Sequence, residues 1–282
     1  MKKKILLILR KVDFHVNKNK RPHFTWINDC KADYEFDYWG QGISSITLLS
    51  LKNKIDSFKP DYIYMTLRKK YHLKNSGGKY WLPDLTNIKV PKIFVEVDNC
   101  YYDVNDPWYK QFDVLMCREP SWNGWDNIPL FRWSVPECAF PTKKMERKDG
   151  IYFIGKVKGP AYAERQKLHL LLGHKIKFIQ RFWSGYWEYI QKASALLCPT
   201  ENLYGHYTPT KLFEFLASGS AVITNCDFNQ AGIPELEQYA IKYNSFRSLK
   251  RRLHLDFTPY YDSAIPLMRN HTHRVRYKEI FG

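Results

Sequence analysis

The sequence lacks several patterns, and each absence excludes a class of protein. The two nearest of its six cysteines, Cys100 and Cys117, are 17 positions apart, which excludes a zinc site built on close cysteine pairs. No apolar run approaches the roughly 20 residues that span a bilayer. The run from Ile5 to Leu9 is too short for a signal peptide, and Arg10 and Lys11 follow it at once. These absences predict a cytoplasmic protein with free thiols.

Acidic residues are also scarce. The chain has 28 Asp and Glu against 44 Lys and Arg, which gives a formal net charge of +16. Residues 2–21 carry eight Lys or Arg and one acidic residue. Residues 242–282 carry nine Lys or Arg and three acidic residues. This excess predicts an anionic partner, namely nucleic acid, an anionic surface polymer or a membrane face. The alternative is a protein whose soluble surface is simply basic.

Short apolar runs alternate with segments of helical spacing along the 282 residues. The strands predicted from this pattern are 5–9, 62–67, 92–97, 112–117, 151–154, 176–179, 195–198 and 221–224. The predicted helices are 43–58, 162–172 and 186–192. This order predicts parallel sheets. Residues 136–149 are predicted as a linker between two Rossmann-like domains, 1–136 and 150–259, and residues 260–282 as a C-terminal helix that returns to the first domain.

The segment from Thr208 to Thr224 is the most informative part of the chain. It predicts a short helix with Lys211 in its first turn and Glu214 one turn later, then a break at Gly219 and a buried strand. A helix N-terminus attracts phosphate, Lys211 adds a cation, and a carboxylate can accept hydrogen bonds from sugar hydroxyls. The pattern therefore predicts a nucleotide site. The alternative is an ordinary helix with a glycine C-cap, which many α/β proteins contain.

The order of several motifs resembles the GT-B glycosyltransferases, most closely the group with spore-maturation-type glycosyltransferase-like proteins and the large retaining families. The motifs are Tyr152 to Gly155, Tyr162 with Arg165, Lys211 to Gly219, Pro129 to Pro136 with Phe140, and Asp98 with Phe112 to Val114. The resemblance covers residues from about 90 to 245. It implies an α/β protein of the GT-B fold, with two Rossmann-like domains facing each other across a ligand cleft. It also implies hexosyl or pentosyl transfer from a nucleotide sugar, with UDP as the expected carrier and no tightly bound cofactor.

The resemblance also assigns roles to single residues. Glu214 matches the second acid of a Glu-x7-Glu motif, which contacts the nucleotide ribose. The first acid is replaced by His206, which puts a retaining mechanism in doubt. His206 can bind the donor sugar or a phosphate, or it can be a residue that only packs in a loop.

Cations at two positions match those that bind the diphosphate in the same families. These are Lys156, which follows the strand that ends at Gly155, and Lys211, which stands beside Thr210 at the helix start. Arg165 matches a basic position on the next helix, with a solvent-facing side chain as the alternative. No Asp-x-Asp pair is present, so we expect no metal on the leaving group.

Glu96 and Asp98 are candidates for a general base. They lie two residues apart near the carboxyl end of a predicted strand, hence on one face, and either can deprotonate an acceptor hydroxyl. The alternative for Asp98 is that it only shapes the turn after the strand. His271 and His273 have no third ligand nearby and do not indicate a metal site.

The acceptor is predicted from a basic and aromatic segment. Arg68 to Lys70, Lys74 and Lys79 surround a glycine pair and precede Tyr80 and Trp81, which suits either a nucleic-acid contact or a solvated loop. Glycosyltransferases that modify hydroxymethylated bases in phage DNA combine this fold with a basic cleft. A flipped base leaves a gap, and the aromatic side chains that can fill or line it are Tyr80, Trp81, Trp122 and Trp125.

Three functions therefore stay open. The preferred one is transfer of a sugar to hydroxymethylated cytosine in double-stranded phage DNA. The second is transfer to a cell-surface glycan or a lipid-linked sugar, with the basic termini at an anionic membrane face. The third is a nucleic-acid-binding protein without enzymatic activity.

Overall fold

Two parallel β-sheets, one in each of two units, organise the described part of the chain. The computed structural model describes residues 1–9, 25–67, 82–96, 103–118, 124–147, 150–159, 162–179, 185–202, 205–206 and 209–282. The first unit contains the described residues up to Arg132 together with Arg276–Gly282, and the second contains Trp133–Val275.

The described part of the first unit contains a five-stranded parallel sheet with the order β2-β1-β3-β4-β5. Its strands are β1 (Lys3–Ile8), β2 (Tyr34–Trp39), β3 (Tyr62–Leu67), β4 (Lys92–Glu96) and β5 (Val114–Cys117). Its helices are α1 (Thr25–Cys30) and α2 (Leu48–Phe58). Every residue of β4 is buried, as expected of a strand that is covered on both faces of a parallel sheet.

The second unit repeats this plan with the order β12-β11-β8-β6-β7, again parallel, and adds the two-stranded antiparallel pair β9 and β10. The strands are β6 (Ile151–Ile154), β7 (Lys177–Ile179), β8 (Ala195–Cys198), β9 (Glu201–Asn202), β10 (Gly205–His206), β11 (Ala221–Thr224) and β12 (Ile241–Lys242). The helices are α3 (Ala163–Leu172), α4 (Tyr186–Lys192), α5 (Thr210–Ala217), α6 (Phe246–Arg252), α7 (Ile265–Met268) and α8 (His273–Phe281), which runs on into the first unit. Two separate hydrophobic clusters fill this unit, one containing α3 and α6 residues and the other α4 and α5 residues.

The strands predicted at 62–67, 151–154, 195–198 and 221–224 are confirmed, and so is the helix at 186–192. The helix predicted from Ile43 begins only at Leu48, so its predicted start is wrong. The Thr47 hydroxyl accepts a hydrogen bond from the Ser50 amide at 3.1 Å and caps the helix there. The charged and aromatic edge strand β2 was not predicted.

The described part of the segment predicted as a linker, residues 136–147, packs on the second unit. Val135, Ala139 and Phe140 are buried in the core of the second unit. The Arg147 side chain is only 2% exposed and forms an ion pair of 2.6 Å with Asp262. The prolines and lysines of this segment suggest an exposed connection. The buried side chains of Ala139, Phe140 and Arg147 instead fix the segment to the second unit.

Two further expectations concern thiols and membranes. The five described cysteines are thiols, of which Cys138 is exposed and the other four are buried. None of the helices in the described ranges is long and apolar enough to cross a membrane.

Candidate functional site

The carboxyl edge of the second sheet collects most of the residues that the sequence indicates. Its five strands are parallel, so their carboxyl ends, at Ile154, Ile179, Cys198, Thr224 and Lys242, lie at one edge. Ligands of open α/β sheets bind outside this edge. The helices that follow β6 and β8 therefore present their first turns here.

Lys211 and Gly155 meet at the end of β6. The Lys211 ammonium donates a hydrogen bond to the backbone carbonyl of Ile154. Gly155 has φ +147°, and a Cβ at this position would lie 2.5 Å from Lys211 Nζ. The missing side chain therefore leaves the space that the ammonium occupies. Two residues assigned to one site in the sequence, 56 positions apart, are adjacent in the fold.

Glu214 lies one turn further along α5 and is 4% exposed. The Tyr186 hydroxyl donates a hydrogen bond of 2.5 Å to Glu214 Oε2. Tyr186 is the first residue of α4 and is 7% exposed. Tyr186 was not predicted as a site residue, because its partner lies 28 positions away on another helix. The only sequence signal is its place at a helix start just after a glycine.

Arg165 lies on the inner side of α3, where it is 8% exposed. Its guanidinium carbon is 4.6 Å from the ring centroid of Tyr162 and 5.8 Å from that of Phe153. The alternative that this side chain points to solvent is therefore wrong. Lys156, in contrast, is exposed on the segment that follows Gly155.

A polar contact between the ends of β8 and β11 was also not predicted. Asn225 Oδ1 accepts hydrogen bonds from the Thr200 amide at 2.7 Å and from its hydroxyl at 3.1 Å. Thr224 donates its own hydroxyl to the Cys198 carbonyl at 2.7 Å. Polar residues directly after buried parallel strands are the signal that could have indicated this part of the edge.

Of the two predicted base residues, the structure describes Glu96 but not Asp98. Glu96 is fully buried at the end of β4, where Oε2 accepts a hydrogen bond of 2.9 Å from the Tyr109 hydroxyl. Asp98 lies outside the described residues. His206 belongs to β10 and pairs with Glu201 of the antiparallel strand β9.

The aromatic residues predicted to line a gap for a flipped base include one that the structure excludes. Trp125 is fully buried in the core of the first unit, 5.4 Å from the Tyr109 ring. A base cannot stack on it without unpacking this core, so that prediction is wrong. Tyr80, Trp81 and Trp122 lie outside the described residues, as does the basic segment from Arg68 to Lys79.

The two histidines near the C-terminus have partners within the second unit. His273 Nδ1 lies 2.8 Å from Ser134 Oγ, and the His271 ring packs 5.4 Å from the ring of Phe213. Among the described residues no group of three or more His, Cys, Asp or Glu side chains is arranged to hold a metal ion.

The fold is similar to several solved structures, including a glycosyltransferase and an α-glucosyltransferase. A glycosyltransferase of avilamycin A biosynthesis has a TM-score of 0.59 at 12% identity, with 98% of this chain and 96% of that chain covered. The Anabaena HepE protein in complex with UDP and glucose has a TM-score of 0.59 at 9% identity, covering 99% and 98%. An α-glucosyltransferase in complex with UDP and a 13-mer DNA containing an HMU base has a TM-score of 0.57 at 10% identity. The match covers 100% of this chain and 99% of that chain.

Sequence comparison adds no relative to these structures. No protein-family model matches the chain, and the search of curated proteins gives no match. With two parallel α/β units and end-to-end similarity to these structures, the chain has the GT-B fold that its motifs predict.

Proposed function

We propose that the protein is a glycosyltransferase whose UDP-sugar donor binds at the carboxyl edge of the second sheet. The observation that carries this proposal is the contact between Lys211 and the end of β6, with the space beside Gly155 that admits the ammonium. A cation fixed by a backbone carbonyl at such an edge is already in place for a diphosphate. Two of the similar structures are complexes with UDP, which agrees with this proposal.

The chemistry follows from the charge that develops as the sugar leaves. Negative charge grows on the diphosphate, and cations or N–H groups held in place lower the barrier. We assign this role to Lys211, Lys156, Arg165 and the N–H groups near Thr210, and assign ribose binding to Glu214. His206 stands where the resemblance expects an acid, and we propose that it contacts the donor sugar or a phosphate.

We assign the general base to Asp98. A base must reach the acceptor hydroxyl, and Glu96 is fully buried with its carboxylate held by Tyr109. Substitution of Asp98 by Asn is expected to lower the rate of transfer to the acceptor while UDP affinity is unchanged. If Glu96→Gln rather than Asp98→Asn has this effect in a folded protein, the assignment is wrong.

The donor site is tested by comparing UDP with uridine. Lys211→Met should weaken UDP binding by about 1.5–3 kcal/mol, or about 10- to 150-fold, because one charged hydrogen bond to phosphate is lost. Uridine, which has no phosphate, should bind equally to both proteins. Lys158→Met is the matched control, because Lys158 is exposed on the same segment and has no assigned role. Equal UDP affinity in Lys211→Met and the wild type would contradict the proposal.

For the acceptor we propose hydroxymethylated cytosine in double-stranded DNA. The net charge of +16 and the basic segment from Arg68 to Lys79 favour a polyanion. One structural neighbour is an α-glucosyltransferase in complex with DNA. The test is to incubate the protein with a panel of nucleotide sugars and with plain or hydroxymethylated DNA. The digested nucleosides should gain the mass of a sugar only in the hydroxymethylated DNA, and duplex affinity should fall steeply with salt.

A lipid-linked sugar or cell-surface glycan is the second candidate acceptor, and one surface favours it. Lys167, Leu170 and Leu171 lie on the outer side of α3, where Leu170 is 81% exposed and Leu171 44% exposed. Outward leucines beside a cation suit an anionic membrane surface. Flotation with anionic but not neutral vesicles, lost in a Leu170→Ser, Leu171→Ser variant, would support this acceptor.

The remaining candidate, a nucleic-acid-binding protein without enzymatic activity, makes the opposite prediction for α5. In that case Lys211→Ala and Glu214→Ala would leave function unchanged. Loss of sugar transfer in variants that remain folded would exclude it.

A further inference from the structure

We propose that Tyr186 is a positioning residue that holds the Glu214 carboxylate for recognition of the donor ribose. The inference rests on the proposed donor site and adds a residue from a different helix to it. Tyr186 opens α4, whereas Glu214 lies in α5, so only the fold brings them together.

The contact has the geometry of a strong hydrogen bond. The Tyr186 oxygen lies 2.5 Å from Glu214 Oε2, and both residues are more than nine-tenths buried. Bonds between a hydroxyl and an ionised carboxylate fall near 2.5–2.7 Å and are stronger than neutral ones. A buried carboxylate with this partner cannot rotate freely about its last torsion.

The pair lies at the edge where the donor is proposed to bind. Tyr186 belongs to the helix that follows β7, and it comes directly after Gly185, which has φ +72°. Glu214 is three residues from Lys211, so both side chains lie on the same side of α5. The Lys211 ammonium in turn reaches the end of β6. A ligand whose diphosphate meets Lys211 therefore brings its ribose toward Glu214.

The chemistry of a carboxylate makes a fixed orientation useful. An ionised carboxylate offers about four acceptor positions, and the Tyr186 hydroxyl uses one of them. Two vicinal ribose hydroxyls are donors at a fixed spacing, so they bind more tightly to an acceptor that is already oriented. Ordering the carboxylate before binding reduces the entropy lost when the ribose arrives.

A role in packing alone predicts a different result from the same substitution. The Tyr186 ring belongs to the core cluster of the second unit and packs edge-on against Trp187 with centroids 4.8 Å apart. Tyr186→Phe keeps this ring and removes only the hydroxyl. If the residue only packs, ribose recognition should not change.

The experiment measures the affinity for UDP and for its 2′,3′-dideoxy analogue, which lacks both ribose hydroxyls. We expect the wild type to bind UDP at least 10-fold more tightly than the analogue. In Tyr186→Phe the UDP affinity should fall toward that of the analogue, while the affinity for the analogue stays within about twofold. Glu214→Gln should show the same loss. Tyr189→Phe is the matched control, because Tyr189 lies on the same helix and is 46% exposed.

The outcomes separate this inference from the proposal beneath it. A Tyr186→Phe protein that keeps the wild-type preference, while Glu214→Gln loses it, would overturn the role of Tyr186 and leave the donor site intact. A wild-type protein that binds neither compound would overturn the donor site and the role of Tyr186 with it.

Discussion

Lys211 Nζ fills the space in which a side chain on Gly155 would stand, since a Cβ there would lie 2.5 Å from it. One residue comes from the end of a strand and the other from the first turn of a helix. The φ of +147° favours glycine at this position, and the space beside it is the space that the Lys211 ammonium uses. A larger residue has to push the ammonium away from the Ile154 carbonyl.

Gly155→Ala should weaken UDP binding by more than about 10-fold, because the displaced ammonium no longer meets the diphosphate. The matched control is Gly150→Ala. Gly150 also has a positive φ, of +85°, but a Cβ there meets nothing within 4 Å. Both variants carry backbone strain of about 1–3 kcal/mol, so both should melt at lower temperature. Titration calorimetry with UDP checks the difference, and equal affinities in the two variants would contradict the expected displacement.

The sequence predicts the second unit better than the first, and the reason is the pattern of burial. The strand from Ala195 to Cys198 and the strand from Ala221 to Thr224 are buried along their whole length, so a short apolar run marks each one. In β2, by contrast, aromatic residues alternate with Glu35 and Asp37, and Asp37 forms an ion pair of 2.6 Å with Lys54. The sequence of β2 therefore contains no apolar run that would predict a strand.

Long-range side-chain contacts explain what the sequence could not predict about the site. Local rules place Lys211 in the first turn of a helix and Glu214 on the same side. The Tyr186 contact depends on how α4 and α5 pack together, which helical periodicity does not encode. The burial of Arg147 was not predicted for the same reason, since its partner Asp262 lies 115 positions away.

Arg147 should be much more important for stability than an exposed cation with a similar ion pair. Its guanidinium contacts Asp262 at 2.6 Å, the Ser220 hydroxyl at 3.2 Å and the Gln191 carbonyl. Arg147→Met leaves the Gln191 carbonyl without this donor, whereas Asp262 is 39% exposed and stays hydrated, so the free energy of unfolding should fall by about 1–3 kcal/mol. The control is Lys242→Met, which breaks an exposed pair with Glu237 and should cost less than about 1 kcal/mol. Urea unfolding measures both, and similar losses in the two variants would show that the buried contacts add nothing.

Trp125→Ala should destabilise the protein rather than alter a binding surface. The indole is fully buried in the core of the first unit, so its removal leaves a large cavity and should cost about 3–5 kcal/mol. Chemical denaturation measures this loss, and duplex-binding assays should be made at a temperature where the variant is still folded. A variant of wild-type stability that no longer binds DNA would instead support the base-lining role that the structure excludes.

Two buried tyrosines should make the first unit sensitive to alkali. Burial raises the pKa of Tyr64, and burial together with the nearby Tyr64 raises the pKa of Tyr277 well above its ordinary value. Their hydroxyl oxygens are 3.4 Å apart. A pKa that is raised by folding means that stability is complete below the unfolded value near 10 and is lost as the pH rises through the folded value.

Between those two values each phenol should remove about 1.4 kcal/mol of unfolding free energy per pH unit. Tyr277→Phe removes one titrating group, so its unfolding free energy should fall less steeply than that of the wild type between pH 10 and 11. Urea unfolding at pH 8, 10 and 11 measures the slopes, and the values at pH 8 separate a change in packing from a change in titration. If the variant and the wild type lose stability in parallel above pH 10, ionisation of Tyr277 does not drive alkaline unfolding.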